Sequence, residues 1–192
     1  MNDFAITSGF EEKHRQRAAD LYMDAFGSKI GGILGTRARE FIAKMLQPDH
    51  AISATANGKL LGIAGFKTSE GAFVGGELSD LTKFYGLFGG LWRGVALSVL
   101  ERELEPDCLL MDGICVSKDA RGQGVGSALL DAVADHAKSR GLAEVRLDVI
   151  DSNPRAKALY MRKGFEEGET SELGPLKHVF GFRSATTMRL AV

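Results

Sequence analysis

The chain has 192 residues, with 24 Lys and Arg against 25 Asp and Glu, and its formal net charge is −1. A chain of this length suits one domain, so we expect a single domain over residues 1–192. The balanced charge gives no overall field that would attract nucleic acid or an anionic membrane, and neither is expected as a partner. Hydrophobic residues make up 44% and charged residues 26%, which is typical of a globular protein.

The N-terminal sequence and the cysteines indicate a cytoplasmic protein without disulfides. Met1 to Phe4 lack the basic residues and the apolar run of a secretory signal. The apolar stretch at 82–101 is interrupted by Lys83, Arg93 and glycines, which disfavours a membrane span. Cys108 and Cys115 fall in one predicted strand, where seven residues span about 23 Å, too far for a disulfide.

The first half of the chain predicts a strand, two helices and a hairpin. Residues 4–8 favour a strand, and apolar residues at helical spacing predict helices over 11–26, ended by Gly27, and over 36–46. Residues 50–56 and 60–67 predict a hairpin about Asn57-Gly58, a dipeptide suited to a tight turn. Residues 79–105 are then expected to form a helical insert, broken near Gly89-Gly90.

The second half predicts alternating strands and helices. Residues 108–117 are apolar on both faces, which favours a central strand, and Gly113 within it indicates a bulge or a close backbone approach. We expect a helix from Gly124 to Arg140, a strand near 145–149, and a helix opened by Asn153-Pro154 and closed by Lys163-Gly164. Strands at 165–172 and 178–190 complete a mixed α/β (α+β) layer.

The most informative stretch runs from Val116 to Ser127. A strand leads into a glycine-rich turn that enters a helix, so unpaired amide groups and a positive helix N-terminus meet at one point. This arrangement binds phosphate oxygens, and the glycines allow close approach of the ligand to the backbone.

Two phosphate-binding motifs fit this loop poorly. A P-loop needs Gly-Lys-Ser/Thr, whereas Gly126 is followed by Ser127-Ala128. The dinucleotide fingerprint fits Gly122 and Gly124 but requires glycine where Ser127 stands, and Glu144 begins the next strand instead of ending it. A nucleotide-dependent enzyme is therefore disfavoured.

The pattern Arg121-x-x-Gly124-x-Gly126, preceded by Ile114-Cys115-Val116, resembles the acyl-CoA loop of the GCN5-related N-acetyltransferase (GNAT) family. A second stretch is similar to the family's other CoA-contacting segment, and it contains Asn153-Pro154, Ala156, Tyr160 and Lys163-Gly164-Phe165. The resemblance covers residues 109–165. The family's usual proline two positions after the valine is Lys118 here, which changes loop stiffness more than chemistry.

The resemblance implies one acyl-CoA N-acyltransferase domain with a GNAT-like, mostly antiparallel central sheet, helices on both faces and a splayed central strand pair. It implies acetyl-CoA as cosubstrate, with the pantetheine on the backbones of Ile114 and Val116. The other cofactor-binding residues that it implies are Arg121, Gly122, Gln123, Gly124, Val125, Gly126, Ser127 and Asn153. The implied activity is N-acetyl transfer to a primary amine by direct attack on the thioester. A catalytically silent acyl-CoA sensor or scaffold is the alternative.

Tyr160 and Asp112 are the catalytic candidates. Tyr160 follows Asn153 by two helical turns on the same face, so its hydroxyl would lie near the sulfur as general acid, although packing alone is the alternative role. Burial would raise the pKa of Asp112 toward a value useful for a base, but a structural pair with Arg146 is also open. As bases, Asp148, Glu103, Glu105 and water relays remain alternatives.

The sequence predicts no metal site and leaves the acceptor open. His14, His50, His136 and His178 lack metal-ligand spacing, and Cys115 is expected to be a small buried apolar residue. The acceptor would be a small-molecule or peptide amine. Its pocket would be built by the first two helices and the aromatic stretch 84–92, which could instead form a homodimer contact.

Overall fold

A computed structural model describes residues 3–98 and 101–192 as an eight-stranded sheet with helices on both faces. The strands are β1 (Ala5–Ser8), β2 (Ala51–Ala56), β3 (Lys59–Thr68), β4 (Gly71–Ala72), β5 (Cys108–Val116), β6 (Glu144–Ile150), β7 (Glu166–Glu172) and β8 (Ser184–Ala191). Their order is β1-β2-β3-β5-β6-β8-β7, with β4 beside β3. All neighbours are antiparallel except β5 and β6, which are parallel.

The helices divide between the two faces of the sheet. They are α1 (Arg15–Leu34), α2 (Ala38–Met45), α3 (Leu78–Tyr85), α4 (Leu87–Ser98), α5 (Val125–Ser139), α6 (Pro154–Arg162) and α7 (Lys177–Phe180). On β3, Ile63 packs in the core with α1 and α2, whereas the next residue, Ala64, packs in the core with α5. Successive strand residues point to opposite faces, so each face of the sheet is covered by its own hydrophobic core. The predicted fold class is confirmed. In the described part of the chain, no helix has both the length and the apolar character needed to cross a membrane.

The predicted end of the first helix is wrong. Helix α1 continues through Gly27 and ends at Leu34, before Gly35 with φ 72°. Buried Ile30 and Leu34 extend its apolar face, which outweighs the cost of about 1 kcal/mol for a glycine in a helix.

The insert breaks at a different glycine from the one predicted. The break between α3 and α4 falls at Gly86, with φ 78°, and Gly89-Gly90 lie within α4. A Cβ on Gly90 would lie 2.4 Å from the Thr82 backbone, so this glycine allows α4 to pack closely on α3. Residues 101–105 of the predicted insert are not helical, and residues 99–100 lie outside the described residues.

The last predicted strand begins too early. Residues 177–180 form α7, and β8 starts only at Ser184. Phe180 and Phe182 are buried against Ile33 of α1, so this segment contributes to the helical layer instead of the sheet. The predicted hairpin is confirmed, with φ of 50° at Asn57 and 71° at Gly58. Cys108 and Cys115 do not form a disulfide with each other.

The two central strands separate after one short paired segment. β5 and β6 pair only over Cys108–Leu110 and Glu144–Arg146, whereas β5 stays on β3 as far as Val116. The register on β3 shifts between Gly65 and Phe66, which leaves Asp112 as the extra residue of a bulge in β5. The predicted bulge is confirmed. A Cβ on Gly113 would lie 2.3 Å from Phe26 Cζ, so the group that approaches this glycine closely is a side chain and not a backbone segment. The result is an open wedge between β5 and β6.

Candidate active site

The edge of β5 that borders the wedge presents backbone polar groups. The Ser117 amide donates to the Leu61 carbonyl on β3 at 2.8 Å, and Val116 is the register partner of Gly62. Because backbone groups alternate in direction along a strand, the N–H and C=O groups of Ile114 and Val116 point away from β3, toward the wedge. The Val116 carbonyl accepts a hydrogen bond from Arg121 Nε at 3.3 Å. This edge can therefore pair with an extended amide-bearing ligand.

The loop after β5 exposes the N-terminus of α5. Gly122 and Gly124 have left-handed φ of 79° and 83°, and Gly124 is the residue that caps the helix. The Gln123 side chain holds the loop by donating to the Asp119 carbonyl at 2.7 Å. The first backbone bond to the cap comes from Ala128, which donates to the Gly124 carbonyl at 3.0 Å. The amides of a helix's first turn have no intrahelical partner, so residues 122–127 can bind an anion at a positive helix end, and we call this segment the anion cradle.

Helix α6 packs beside this cradle. Asn153 caps the helix by accepting a hydrogen bond from the Ala156 amide at 3.2 Å, and Pro154 occupies the first turn, as predicted. A Cβ on Gly126 would lie 3.3 Å from Leu159 Cδ2, so the small residue at 126 permits close contact of α5 with α6.

A cavity of about 920 Å³ occupies the wedge and continues beneath α1 to α4. Asp112 and Ile114 of β5 line the cavity, as do residues 147–150 of β6. Asn153, in the turn before α6, and Tyr160, on α6, line it as well. The structure thus brings both predicted catalytic residues to one cavity, with two of the predicted cofactor contacts. Val116 and residues 121–127 are not among the residues that line the cavity, and they follow Ile114 at the end of β5 and in the loop after it.

Asp112 is a largely buried carboxyl group in this cavity. Burial raises its pKa from the usual 3.8 to about 6, although nearby Arg102, a backbone hydrogen bond from Phe73 and Lys67 act in the opposite direction. The expected pairing with Arg146 is wrong, because Arg146 forms an ion pair with Glu105. Local spacing does not indicate these neighbours of Asp112, because Lys67 lies on β3 and Arg102 lies in the irregular segment before β5.

The other candidate bases differ in their surroundings. Glu105 also pairs with Arg189 at 2.7 Å, and the hydrogen bond from Arg189 is the main cause that lowers its pKa, so this carboxylate is a weak base. Glu103 is exposed. Asp148 lines the cavity and forms an ion pair with Arg102 Nε at 2.8 Å through Oδ2. Its Oδ1 is buried and has no hydrogen-bond partner among the described residues.

Two tyrosines line the cavity, although the sequence singled out one. Tyr160 is 7% exposed and packs on Phe165 with ring centroids 5.8 Å apart, so it has a packing role as well as access to the cavity. Burial, and secondarily Cys115, raise its pKa above the usual value for a phenol. Tyr22 of α1 also lines the cavity, and burial, then Asp112, raise its pKa. No local motif distinguishes Tyr22 from the other apolar positions of its helix.

The insert contributes to the cavity through residues flanking the predicted stretch. Leu78 and Leu81 of α3 line it, as do Leu97 and others of α4, whereas only Leu91 of residues 84–92 does so. Phe88 is 83% exposed. The homodimer contact stays a prediction. In the described ranges 3–98 and 101–192, no group of three or more His, Cys, Asp or Glu side chains is arranged to hold a metal ion.

Comparisons with known proteins agree with this geometry. Residues 15–165 match the model of the Acetyltransferase (GNAT) family. Thialysine N-epsilon-acetyltransferase of Bos taurus is 34% identical over 83 residues, which are 43% of this chain and 47% of that protein. The [ribosomal protein bS18]-alanine N-acetyltransferase of Escherichia coli (strain K12) is 44% identical over 54 residues, 28% of this chain and 36% of that protein. The matches therefore span less than half of either relative.

Solved structures share the fold over nearly the whole chain. A GCN5-related N-acetyltransferase from Kribbella flavida superposes with a TM-score of 0.67 at 15% identity, covering 99% of this chain and 98% of that one. The ribosomal-protein-S18-alanine N-acetyltransferase from Escherichia coli gives a TM-score of 0.56 at 22% identity, covering 98% and 94%. At these identities the likeness establishes the fold alone.

Proposed function

The chain belongs to the GNAT family of acetyltransferases, and we propose that it transfers the acetyl group of acetyl-CoA to a primary amine. One observation carries the proposal: β5 separates from β6, its end leads into the exposed N-terminus of α5, and the cavity beside the separated strands contains a largely buried carboxyl group and a buried phenol. These are the groups that acyl transfer from a phosphate-bearing thioester needs.

The cosubstrate would be held mainly by backbone groups. The cradle amides of residues 122–127 would bind the diphosphate, with Arg121 and Gln123 holding the loop in shape. The free edge of β5 at Ile114 and Val116 would pair with the pantetheine amides. Asn153, at the head of α6, would contact the cofactor in addition to capping its helix.

The amine must lose a proton before or during its attack. An alkyl amine with a pKa of about 10.4 is neutral only about once in 2,500 at pH 7, a penalty of about 4.6 kcal/mol. Asp112 would accept this proton, because its raised pKa of about 6 leaves it ionised at neutral pH but more basic than an ordinary aspartate. Its position on the β5 bulge, in the lining of the cavity, supports this role.

Attack forms a C–N bond, and collapse of the tetrahedral intermediate breaks the C–S bond. A wedge-facing backbone amide of β5 would donate to the developing oxyanion. Tyr160 would give its proton to the departing thiolate, and its raised pKa keeps the phenol protonated until then. The products are an N-substituted acetamide and free CoA, and the proton taken up by Asp112 returns to Tyr160 through solvent.

A turnover assay combined with a binding assay tests the proposal. Calorimetric titration with acetyl-CoA measures binding, and release of the CoA thiol measures transfer to amines, polyamines, aminoglycosides, amino acids and peptides. We expect binding together with turnover of at least one amine. Tight binding without turnover on any acceptor would instead identify a silent acyl-CoA sensor, and absence of binding would refute both functions.

A further inference from the structure

The part of the cavity formed by α1 to α4 is strongly apolar. Among the large apolar side chains that these helices contribute to its lining are the following six: Phe26, Leu34, Phe41, Ile42, Leu81 and Leu97. Four of them are buried core residues, so the wall is fixed by packing against the sheet. An acceptor that enters this space gains free energy by burying apolar surface.

The cations that line the cavity are already paired. Lys67 Nζ lies 3.7 Å from a Glu101 carboxylate oxygen, and Arg102 is paired with Asp148. Lys67 and Arg102 are the two basic residues among the described lining residues. An acceptor bearing a carboxylate would therefore bring an unpaired anion into an apolar cavity, which is costly.

The cavity does offer acceptors for N–H groups. Asp112 on β5 and Asp148 on β6 lie on the two strands that flank the wedge, and both line the cavity. Asp148 is 10% exposed, and its buried Oδ1 lacks a hydrogen-bond partner among the described residues. A buried carboxylate oxygen without a partner is destabilising until a donor reaches it. In the part of the chain that the structure describes, the other two acids that line the cavity are Glu77 and Glu101. Glu77 is exposed at the start of α3.

We propose that the acceptor is a monoamine with a compact aliphatic or aromatic body and no carboxylate. Its nitrogen is held between Asp112 and Asp148, and its body packs against α1 to α4. This inference rests on the proposed function, since it names the substrate class of the same site. It excludes amino acids, whose carboxylate lacks a free cation, and polyamines, whose second ammonium group would meet the apolar wall.

Matched acceptors test this class directly. With acetyl-CoA saturating, kcat/KM is measured for phenethylamine and for phenylalanine, which carries the same ring and an added carboxylate. Spermidine, an alanine-initiated peptide and the n-alkylamines from butyl to octyl complete the set. We expect phenethylamine to exceed phenylalanine by about 100-fold or more. Each added methylene should raise kcat/KM by about fourfold until the cavity is filled.

A pair of leucines on α4 provides the matched variants. Leu97→Ala removes part of the cavity wall, and Leu87→Ala makes the same change at a side chain that is 69% exposed and does not line the cavity. We expect Leu97→Ala to move the optimum of the alkylamine series to a longer chain and Leu87→Ala to leave it in place. An unchanged optimum in a folded Leu97→Ala protein would contradict the assigned wall.

The outcomes separate this inference from the proposed function. If phenylalanine, spermidine or the peptide is the best substrate, the acceptor class is wrong while acetyl transfer stands. If acetyl-CoA binds but nothing is acetylated, the proposed function fails. Calorimetric titration of phenethylamine and phenylalanine into the acetyl-CoA complex then decides the inference alone: tighter binding of phenethylamine supports it, and equal or reversed affinity overturns it.

Discussion

Asp112→Asn should stabilise the protein at neutral pH while impairing catalysis. The carboxyl group is largely buried on the β5 bulge, and its pKa is raised from 3.8 to about 6. Each tenfold change in proton affinity corresponds to 1.36 kcal/mol, so keeping this group charged in the native state costs about 3 kcal/mol. Asparagine has nearly the same shape and does not ionise, so the variant avoids this cost.

The pH dependence of the effect follows from proton binding. Between pH 3.8 and about 6 the native state binds more protons at Asp112 than the unfolded state does, so wild-type stability falls as the pH rises through this window. The difference between variant and wild type should be small at pH 4. It should grow by about 1.4 kcal/mol per pH unit and level off above pH 6 at about 3 kcal/mol in favour of the variant.

Urea denaturation of both proteins at pH 4 to 8 measures this difference in the free energy of unfolding. Asp135→Asn, which changes an exposed aspartate on α5, is the matched control and should show almost no pH-dependent difference. If Asp112→Asn is destabilised above pH 6, or if its difference from wild type is independent of pH, then Arg102 and Lys67 fully compensate the charge and the argument for a basic Asp112 is refuted.

Three further predictions concern catalysis and cosubstrate binding. The kcat/KM of the wild type should rise with pH through about 6 as Asp112 ionises, and a profile flat between pH 5 and 7 would count against Asp112 as the base. Tyr160→Phe should lower kcat by about 10² to 10⁴ with little change in acetyl-CoA affinity. Tyr85→Phe, which changes a tyrosine outside the cavity, should keep the wild-type kcat. If Tyr160→Phe also keeps the wild-type kcat, Tyr160 has a packing role alone. Gly124→Glu should abolish binding of acetyl-CoA, measured by calorimetry, because it places a carboxylate at the cradle. Gly124→Ala imposes the same backbone strain at φ 83° without the charge and should retain measurable binding. An equal loss of binding in both variants would assign the effect to backbone strain.

The elements that carry local signals could be predicted from the sequence. The Asn57-Gly58 turn, the Asn153-Pro154 helix start and the bulge at Gly113 each depend on neighbouring residues, and all three are confirmed. The splayed strand pair came from the resemblance carried by residues 109–165, and it is confirmed as well.

What the sequence left out depends on contacts between distant segments. The end of α1 is set by packing of residues such as Leu34, which a glycine at position 27 does not prevent. The surroundings of Asp112 include Arg102, which precedes it by 10 residues in the chain. An ion pair with Asp148 of β6 holds Arg102 at the cavity. Tyr22 reaches the same cavity because α1 crosses the sheet there. None of these contacts has a signal in local spacing.

The amides at the start of α5 should bind the diphosphate of acetyl-CoA. A crystal structure of the complex tests it most directly. We expect diphosphate oxygens at about 2.7–3.2 Å from amide nitrogens of residues 122–127, with the pantetheine lying in the wedge along Ile114 and Val116. A diphosphate bound elsewhere, with the cradle amides facing only solvent, would contradict the account.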